Sequence, residues 1–355
     1  MGIFDIMLHV RRLMMFGLAV LIGFLFQYMA IPIPFLLGGI VSSMFWKVIG
    51  AQVYWPRQWR ELGLCVAGYG IGRNFTAETM HELSMQSLGV LEATGAAVGA
   101  SVIIAWWTSR HSYANLQSCV MGCMPGGLTQ MMLMSETDKR VDFSVVMVMQ
   151  TLRLMSAIII VPFLVVHGLG AEIKDTALPA AQTGGYTWLW MVPIAAIGAV
   201  VLQKLHIPTP RLLGPTLAAS ACSYFFGTFQ PVPDPLMTVA QISIGLYMGM
   251  LLDPARIKET ARLMPFIITG ILIIIAVSVA MAYYLSGIYG FSLITAFLAM
   301  APGGIAEMCL AGMSMGENVS IILTYQLVRM LILNITVPMG LTWYFKDLSL
   351  IHISE

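Results

Sequence analysis

The sequence predicts an all-α polytopic membrane protein of two inverted repeats, each with about five transmembrane helices and one broken, re-entrant or discontinuous helix. Three observations carry that expectation. The chain of 355 residues is 58% hydrophobic and only 10% charged, whereas a soluble protein of this length needs far more charge to cover its surface. Its Lys and Arg fall in small clusters between apolar runs. One short stretch also occurs twice, as Met124-Pro125-Gly126-Gly127-Leu128-Thr129-Gln130-Met131 and as Ala301-Pro302-Gly303-Gly304-Ile305-Ala306-Glu307-Met308. Each copy interrupts an apolar helical segment. Proline removes a backbone donor and clashes with the preceding turn, and two glycines do not hold a helix across the gap. In lipid such a break survives only where protein or a watery cavity satisfies the freed backbone groups.

The first apolar run covers 13–30 and ends at Ile31-Pro32-Ile33-Pro34. It follows Arg11-Arg12 without a small-residue cleavage site and reads as a retained first span. The second, 34–49, is short and ends near Lys47; Trp55 and Trp59 in the polar link after it suit a membrane interface. The third, 61–74, is short and carries Gly63, Gly68, Gly70 and Gly72. Thr76 then reads as the N-cap of a brief amphipathic helix reaching Gln86. The fourth, 87–108, ends in Trp106-Trp107, the broken segment covers 113–135, and the long span 143–167 closes a first repeat assigned to 12–167. A linker of Pro, Ala and Gly, 168–186, leads to the second repeat, 187–345. There the runs are 187–204, 210–227, 236–252 and 263–286, a broken segment at 292–315 and a last span at 319–345. Residues 346–355 form a polar tail; Leu348 to Glu355 resembles translated sequencing-adapter sequence, so the tail is expected to be an artefact and the native C-terminus missing.

The duplication extends beyond the Pro-Gly-Gly pair. Pro32-x-Pro34-x-Leu36-Leu37-Gly38 matches Pro208-x-Pro210-x-Leu212-Leu213-Gly214, and Gly68 and Gly72 match Gly245 and Gly249. Gln150-x-x-Arg153 matches Gln326-x-x-Arg329, and all these pairs keep one offset to within a residue. If each broken segment turns back, Arg11, Arg12, Lys47, Arg57, Arg60, Arg110, Lys139, Arg140, Lys204, Arg211, Arg256, Lys258, Arg262 and Lys346 share one side. The other side then receives Lys174, with Arg73 a second exception. If the broken segments cross instead, the clusters at Lys204–Arg211 and Arg256–Arg262 land outside, against the positive-inside rule. The re-entrant arrangement leaves an odd number of spans per repeat, so the repeats are inverted and both termini are cytoplasmic in a bacterial inner membrane.

Arg153 and Arg329 lie inside long apolar runs, where a charge at the bilayer centre costs about 2.5–3.5 kcal/mol on insertion scales and therefore faces the protein interior or a cavity. Two compatible readings stay open: a clamp on carbonyls freed at the break, or contact with a ligand. Gln130 and Glu307 occupy matching places in the first turn after each break, where uncapped N–H groups and the helix dipole favour negative charge. Pro125, Gly126, Gly127, Thr129 and Gln130, with Pro302, Gly303, Gly304 and Glu307, thus form with Arg153, Gln326 and Arg329 a candidate substrate-binding set. Glu307 and Glu92 are the candidate coupling residues, although an N-terminal helix acid explains Glu307 and an interfacial position explains Glu92. His111 and His206 read as solvated caps. Cys65, Cys119, Cys123, Cys222 and Cys309 have no metal-ligand spacing and read as buried thiols, so neither metal nor cofactor is expected. No nucleophile elbow, Walker loop or zinc-protease signature is present in the sequence, which argues against an enzyme or ATP-driven pump.

With its duplicated PGG-x-x-[Q/E]-M and Q-x-x-R elements, the chain resembles the AbrB-type duplicated membrane protein family over residues 12–345. That family is labelled both transcriptional regulator and ammonia monooxygenase. Neither label suits these residues: the chain has no basic soluble module for nucleic acid and no His-rich or carboxylate metal site. The resemblance implies kinship with inverted-repeat anion and cation/proton carriers. The expectation is therefore a secondary transporter of a small carboxylate-like anion or zwitterion, coupled to H+ or Na+, with alternating access around the two breaks and a scaffold that can form a homodimer. A non-transporting membrane sensor or regulatory protein of the same fold is the alternative.

Overall fold

The structure is a computed structural model that describes residues 3–51, 53–75, 87–126, 128–137, 140–170, 187–205, 207, 209–226 and 230–351. The expected helix at Thr76–Gln86, most of the linker, Gly127, Lys139, His206, Pro208 and the last four residues lie outside them. The described residues form helices and connecting turns only. The first repeat contains α1 Ile3–Tyr28, α2 Pro34–Val48, α3 Arg57–Gly72, α4 Ser87–His111, α5 Leu116–Cys123, α6 Leu128–Thr137 and α7 Phe143–His167. The second contains α8 Met191–Lys204, α9 Pro210–Phe226, α10 Asp234–Leu251, α11 Pro254–Glu259, α12 Met264–Tyr289, α13 Leu293–Met300, α14 Ile305–Met315 and α15 Val319–Ile351.

Among the described residues, five helical stretches are long and apolar enough to cross a membrane: Leu8–Tyr28, Leu88–His111, Phe143–His167, Ala261–Tyr289 and Val319–Val337. The remaining expected spans are shorter. α2 has 15 residues and α8 has 14, and at about 1.5 Å per residue neither matches a hydrocarbon core of about 30 Å. Boundaries move elsewhere too. α3 starts at Arg57, so Arg57 and Arg60 join its first turn, and α15 continues to Ile351, past the expected end at 345. α11 was not expected. Asp253 caps it by accepting from the Ala255 N–H at 3.0 Å, and Pro254 occupies its first position.

The helices sort into two groups. α1, α2, α3, α8, α9 and α10 pack on one another, while α4–α7 and α12–α15 form the second group, and α14 meets α3 where the groups touch. Each main pairing has its counterpart when the repeats are exchanged: α1 on α2 as α8 on α9, α2 on α10 as α9 on α3, α5 on α7 as α13 on α15, α4 on α15 as α12 on α7. Glycine explains the first group. A Cβ on Gly39 would lie 2.7 Å from the Ile242 carbonyl, and one on Gly245 or Gly249 would overlap the Leu36 or Ile40 carbonyl. Gly68 and Gly72 stand in the same relation to Leu212 and Thr216 of α9. The matched glycines thus seat α3 on α9 and α10 on α2, backbone against backbone.

α4 and α12, equivalent in the two repeats, lie antiparallel. Gly89 at the start of α4 meets Tyr289 at the end of α12, and the Trp107 and Phe266 rings lie 5.3 Å apart at the opposite end. Each broken segment starts and finishes in one place. The Asn115 amide before α5 donates to the Arg140 carbonyl at 2.6 Å, and the Asp142 N–H donates to Ser118 Oγ at 2.8 Å. In the second repeat Glu317 accepts from Ser292 and, at 2.7 Å, from the Thr295 hydroxyl.

Candidate functional site at the paired helix breaks

α5 stops at Met124 and α13 at Ala301, both in extended conformation, as proline at the next position requires. The last carbonyls of each half-helix then lack the N–H of a following helical turn, although the Gly126 N–H donates to the Met124 carbonyl at 2.8 Å. Arg153 Nη1 donates to the Cys123 carbonyl at 3.1 Å and to that of Met124, while Gln150 Nε2 donates to Met121 at 2.6 Å and Met124 at 3.0 Å. Arg329 repeats this on Met300 at 2.9 Å and Ala301 at 3.1 Å, and Gln326 on Leu298 at 2.8 Å and Ala301 at 3.0 Å. Each glutamine accepts from its arginine in turn. Of the two readings left open for these arginines, the hydrogen bonds describe the clamp. A cation at a helix C-terminus is also favoured by the dipole, which offsets part of the cost of burying two guanidinium groups. Both arginines keep a buried Nε without a partner among the described residues.

The two breaks come together. Pro125 and Pro302 line one narrow cavity with Arg329, Ala97 and Ser101 of α4 and Ser278 of α12. Ser101 and Ser278 stand at the same sequence offset as the two prolines, so matching positions of the two halves line this cavity. Arg153 lines a neighbouring cavity with Cys123, Met149 and Phe266. The methionine that ends each motif also has a structural place. Met131 and Met308 are fully buried, and a Cβ on Gly126 or Gly303 would lie 2.5 or 2.6 Å from the methyl carbon of the methionine in its own repeat.

The halves differ after the break. Glu307 is 2% exposed in the first turn of α14, and its carboxylate folds back over the N-cap Gly304, where an added Cβ would overlap Oε2. The positive helix end expected to receive an external anion is therefore covered by the chain's own acid, in the manner of the glutamate of a capping box. Glu307 Oε1 is buried and has no partner among the described residues. In the first repeat Thr129 and Gln130 lie in the first turn of α6, and their side chains fall outside the described set. Glu92 is not at the breaks. It lies toward the start of α4, half-buried, more than a turn before Ala97.

The family described as Transition state regulatory protein AbrB matches residues 35–345. The chain belongs to the AbrB family. Among its relatives, "Putative regulator AbrB" of Escherichia coli (strain K12) is 24% identical over 321 residues, covering 89% of this chain and 91% of that protein. A Bacillus subtilis (strain 168) protein, YhjN, is 26% identical over 312 residues, covering 79% of this chain and 77% of that one. The AbrB match takes in both breaks and both Gln-x-x-Arg pairs. Within this AbrB-family chain, sequence reasoning passed over the Ser101/Ser278 pair and gave the two motif methionines no role. Their signal was present in the repeat register: each pair keeps the offset of the prolines.

Proposed function

We propose that this AbrB-family protein is a secondary transporter of a small carboxylate-like anion or zwitterion, coupled to H+ or Na+. The single observation that carries the reading is the meeting of Pro125 and Pro302, from different repeats, at one cavity bordered by Arg329. Two interrupted helices brought together in a bundle are where secondary carriers hold solute. The antiparallel packing of α4 and α12 supports inverted repeats, and the joined ends of each broken segment support re-entrant hairpins entering from opposite faces. Lys47 on the Met250 and Leu252 carbonyls, Arg57 and Arg211 on Glu61, and Arg256 on Ser144 gather basic residues at one end of the bundle. By the positive-inside rule that end, with both termini, is cytoplasmic in a bacterial inner membrane. The group α4–α7 with α12–α15 moves against the group α1–α3 with α8–α10, which is the scaffold and the candidate homodimer face. Solute lies against the breaks, with Glu307 or Glu92 as the coupling acid.

Reconstitution tests this. Liposomes holding the protein should take up a labelled carboxylate or amino acid when a pH or sodium gradient is imposed, and Glu307→Gln should lower that uptake at least about tenfold by unsettling the α14 terminus. Uptake indifferent to every gradient and every solute across a broad panel would leave the second reading. That reading is a membrane sensor or regulatory protein with a carrier-like fold, and it is favoured by the regulatory names in the family. Such a protein should still respond to a solute in a thermal-shift screen.

A further inference from the structure

Away from the breaks, α4, α12 and α15 bring together a half-buried acid, a half-buried phenol and a buried one. Gly89 of α4 faces Tyr325 of α15 and Tyr289 of α12: an added Cβ would lie 2.7 Å from the Tyr325 hydroxyl and 2.6 Å from the Tyr289 ring. The glycine makes room for both rings. Glu92 stands three residues further on the same helical face, its charge within electrostatic reach of both phenols. Tyr325 is 2% exposed, yet its hydroxyl and Glu92 Oε2 are both buried without a partner among the described residues. Phe291 closes one side, 6.1 Å from the Tyr325 ring and 6.2 Å from that of Tyr289. A buried carboxylate oxygen on a half-buried acid and a buried hydroxyl, both left unpaired, each cost free energy that a function can explain.

The pair has no counterpart when the repeats are exchanged. The first-repeat equivalent of Tyr325 is Met149, which packs on Gly122, and the equivalent of Glu92 is Thr269, which donates to its own helix at the Pro265 carbonyl, 2.8 Å away. Neither titrates. Tyr325 also precedes Gln326 and lies one turn before Arg329, so it shares a helix face with the clamp on the second break.

We propose that Glu92 and Tyr325 form a proton-binding site that sets the second break, which names the coupling ion of the transport reading and rests on it. Protonated, the Glu92 carboxyl is neutral and donates its proton as a hydrogen bond to the Tyr325 hydroxyl oxygen. Deprotonated, having released that proton to water, it accepts the Tyr325 hydroxyl instead. The reversal turns the phenol and, through α15, loads or relaxes the Arg329 clamp. Besides Tyr325, the titratable group near Glu92 is Tyr289 from α12, with Tyr284 behind it; on α15 the next charged residue is Arg329, one turn past Tyr325 and bonded to the second break, and α5 carries no carboxylate, Lys, Arg or His.

Infrared difference spectroscopy of the full chain in nanodiscs, titrated with acid and base, reads this directly. A carboxylic-acid carbonyl band should appear as pH falls, disappear in Glu92→Gln and persist in Glu307→Gln and Thr269→Val. In Tyr325→Phe its midpoint should rise by about one pH unit, because the charged form loses a donor. A titrating band absent from wild type, or unmoved by Glu92→Gln, overturns the proposal. So does one that Tyr325→Phe leaves in place. Glu92→Asp, with correct folding checked by gel filtration, guards against a collapsed Gln variant. If the band behaves as expected but no solute is carried, the proton site stands and the transport reading falls. If uptake is driven and Glu92→Gln keeps its pH dependence, the reverse holds.

Discussion

Arg153 and Arg329 do at residue scale what the rest of the molecule does at larger ones: each serves a helix other than its own. A guanidinium fork reaches two carbonyls and a glutamine at once. Arg329→Ala should therefore lower stability by about 2–3 kcal/mol, and Arg329→Lys should recover less than half of it, since an ammonium is a point donor. Thermal melting of the detergent-solubilised protein measures both. Sequence alone found the two arginines and their glutamines from charge in an apolar run, but left their role open. That role depends on which backbone lies opposite, and the opposite backbone is roughly thirty positions away in the chain. Glu307 was legible as an acid at a helix start. That it covers its own N-cap was not, because the direction of a carboxylate is fixed by burial and not by position in the sequence.

At element scale the short helices depend on close approach. Gly245→Ala puts a methyl group into the Leu36 carbonyl and should cost about 1–3 kcal/mol through the α2–α10 contact. Gly95→Ala in α4, where nothing lies within 4 Å, should change stability by less than about 1 kcal/mol. A pair of melting curves separates close packing from mere helix propensity. The matched glycines were visible as a repeat of spacing, and their pattern was right. Their partners were not visible, because a glycine in the sequence shows where backbones can meet but not which backbone arrives. α11 escaped for a similar reason: six residues with one capping aspartate carry too little periodicity to stand out from a turn.

At the scale of the whole molecule, the proposed inversion makes a sharp prediction. Asn115 and Ser292 hold matching sequence positions, are both exposed, and stand where the two broken segments begin. In a cysteine-free background, Asn115→Cys should react with an impermeant thiol reagent only from the cytoplasmic side and Ser292→Cys only from the outside. Labelling of both from one side would mean parallel repeats. The sequence by itself determined that the chain is an apolar, duplicated helical protein with two Pro-Gly-Gly breaks and two buried Gln-Arg pairs. Hydropathy and repeat spacing are properties of composition and order along the chain, and they survive without coordinates. Tertiary structure alone decided that the breaks meet at one cavity, that the arginines hold helix ends, and that Gly89, one turn before Glu92, meets two phenols. Those are contacts between residues far apart in the chain, set by how helices of fixed length and shape pack, and no local pattern encodes them.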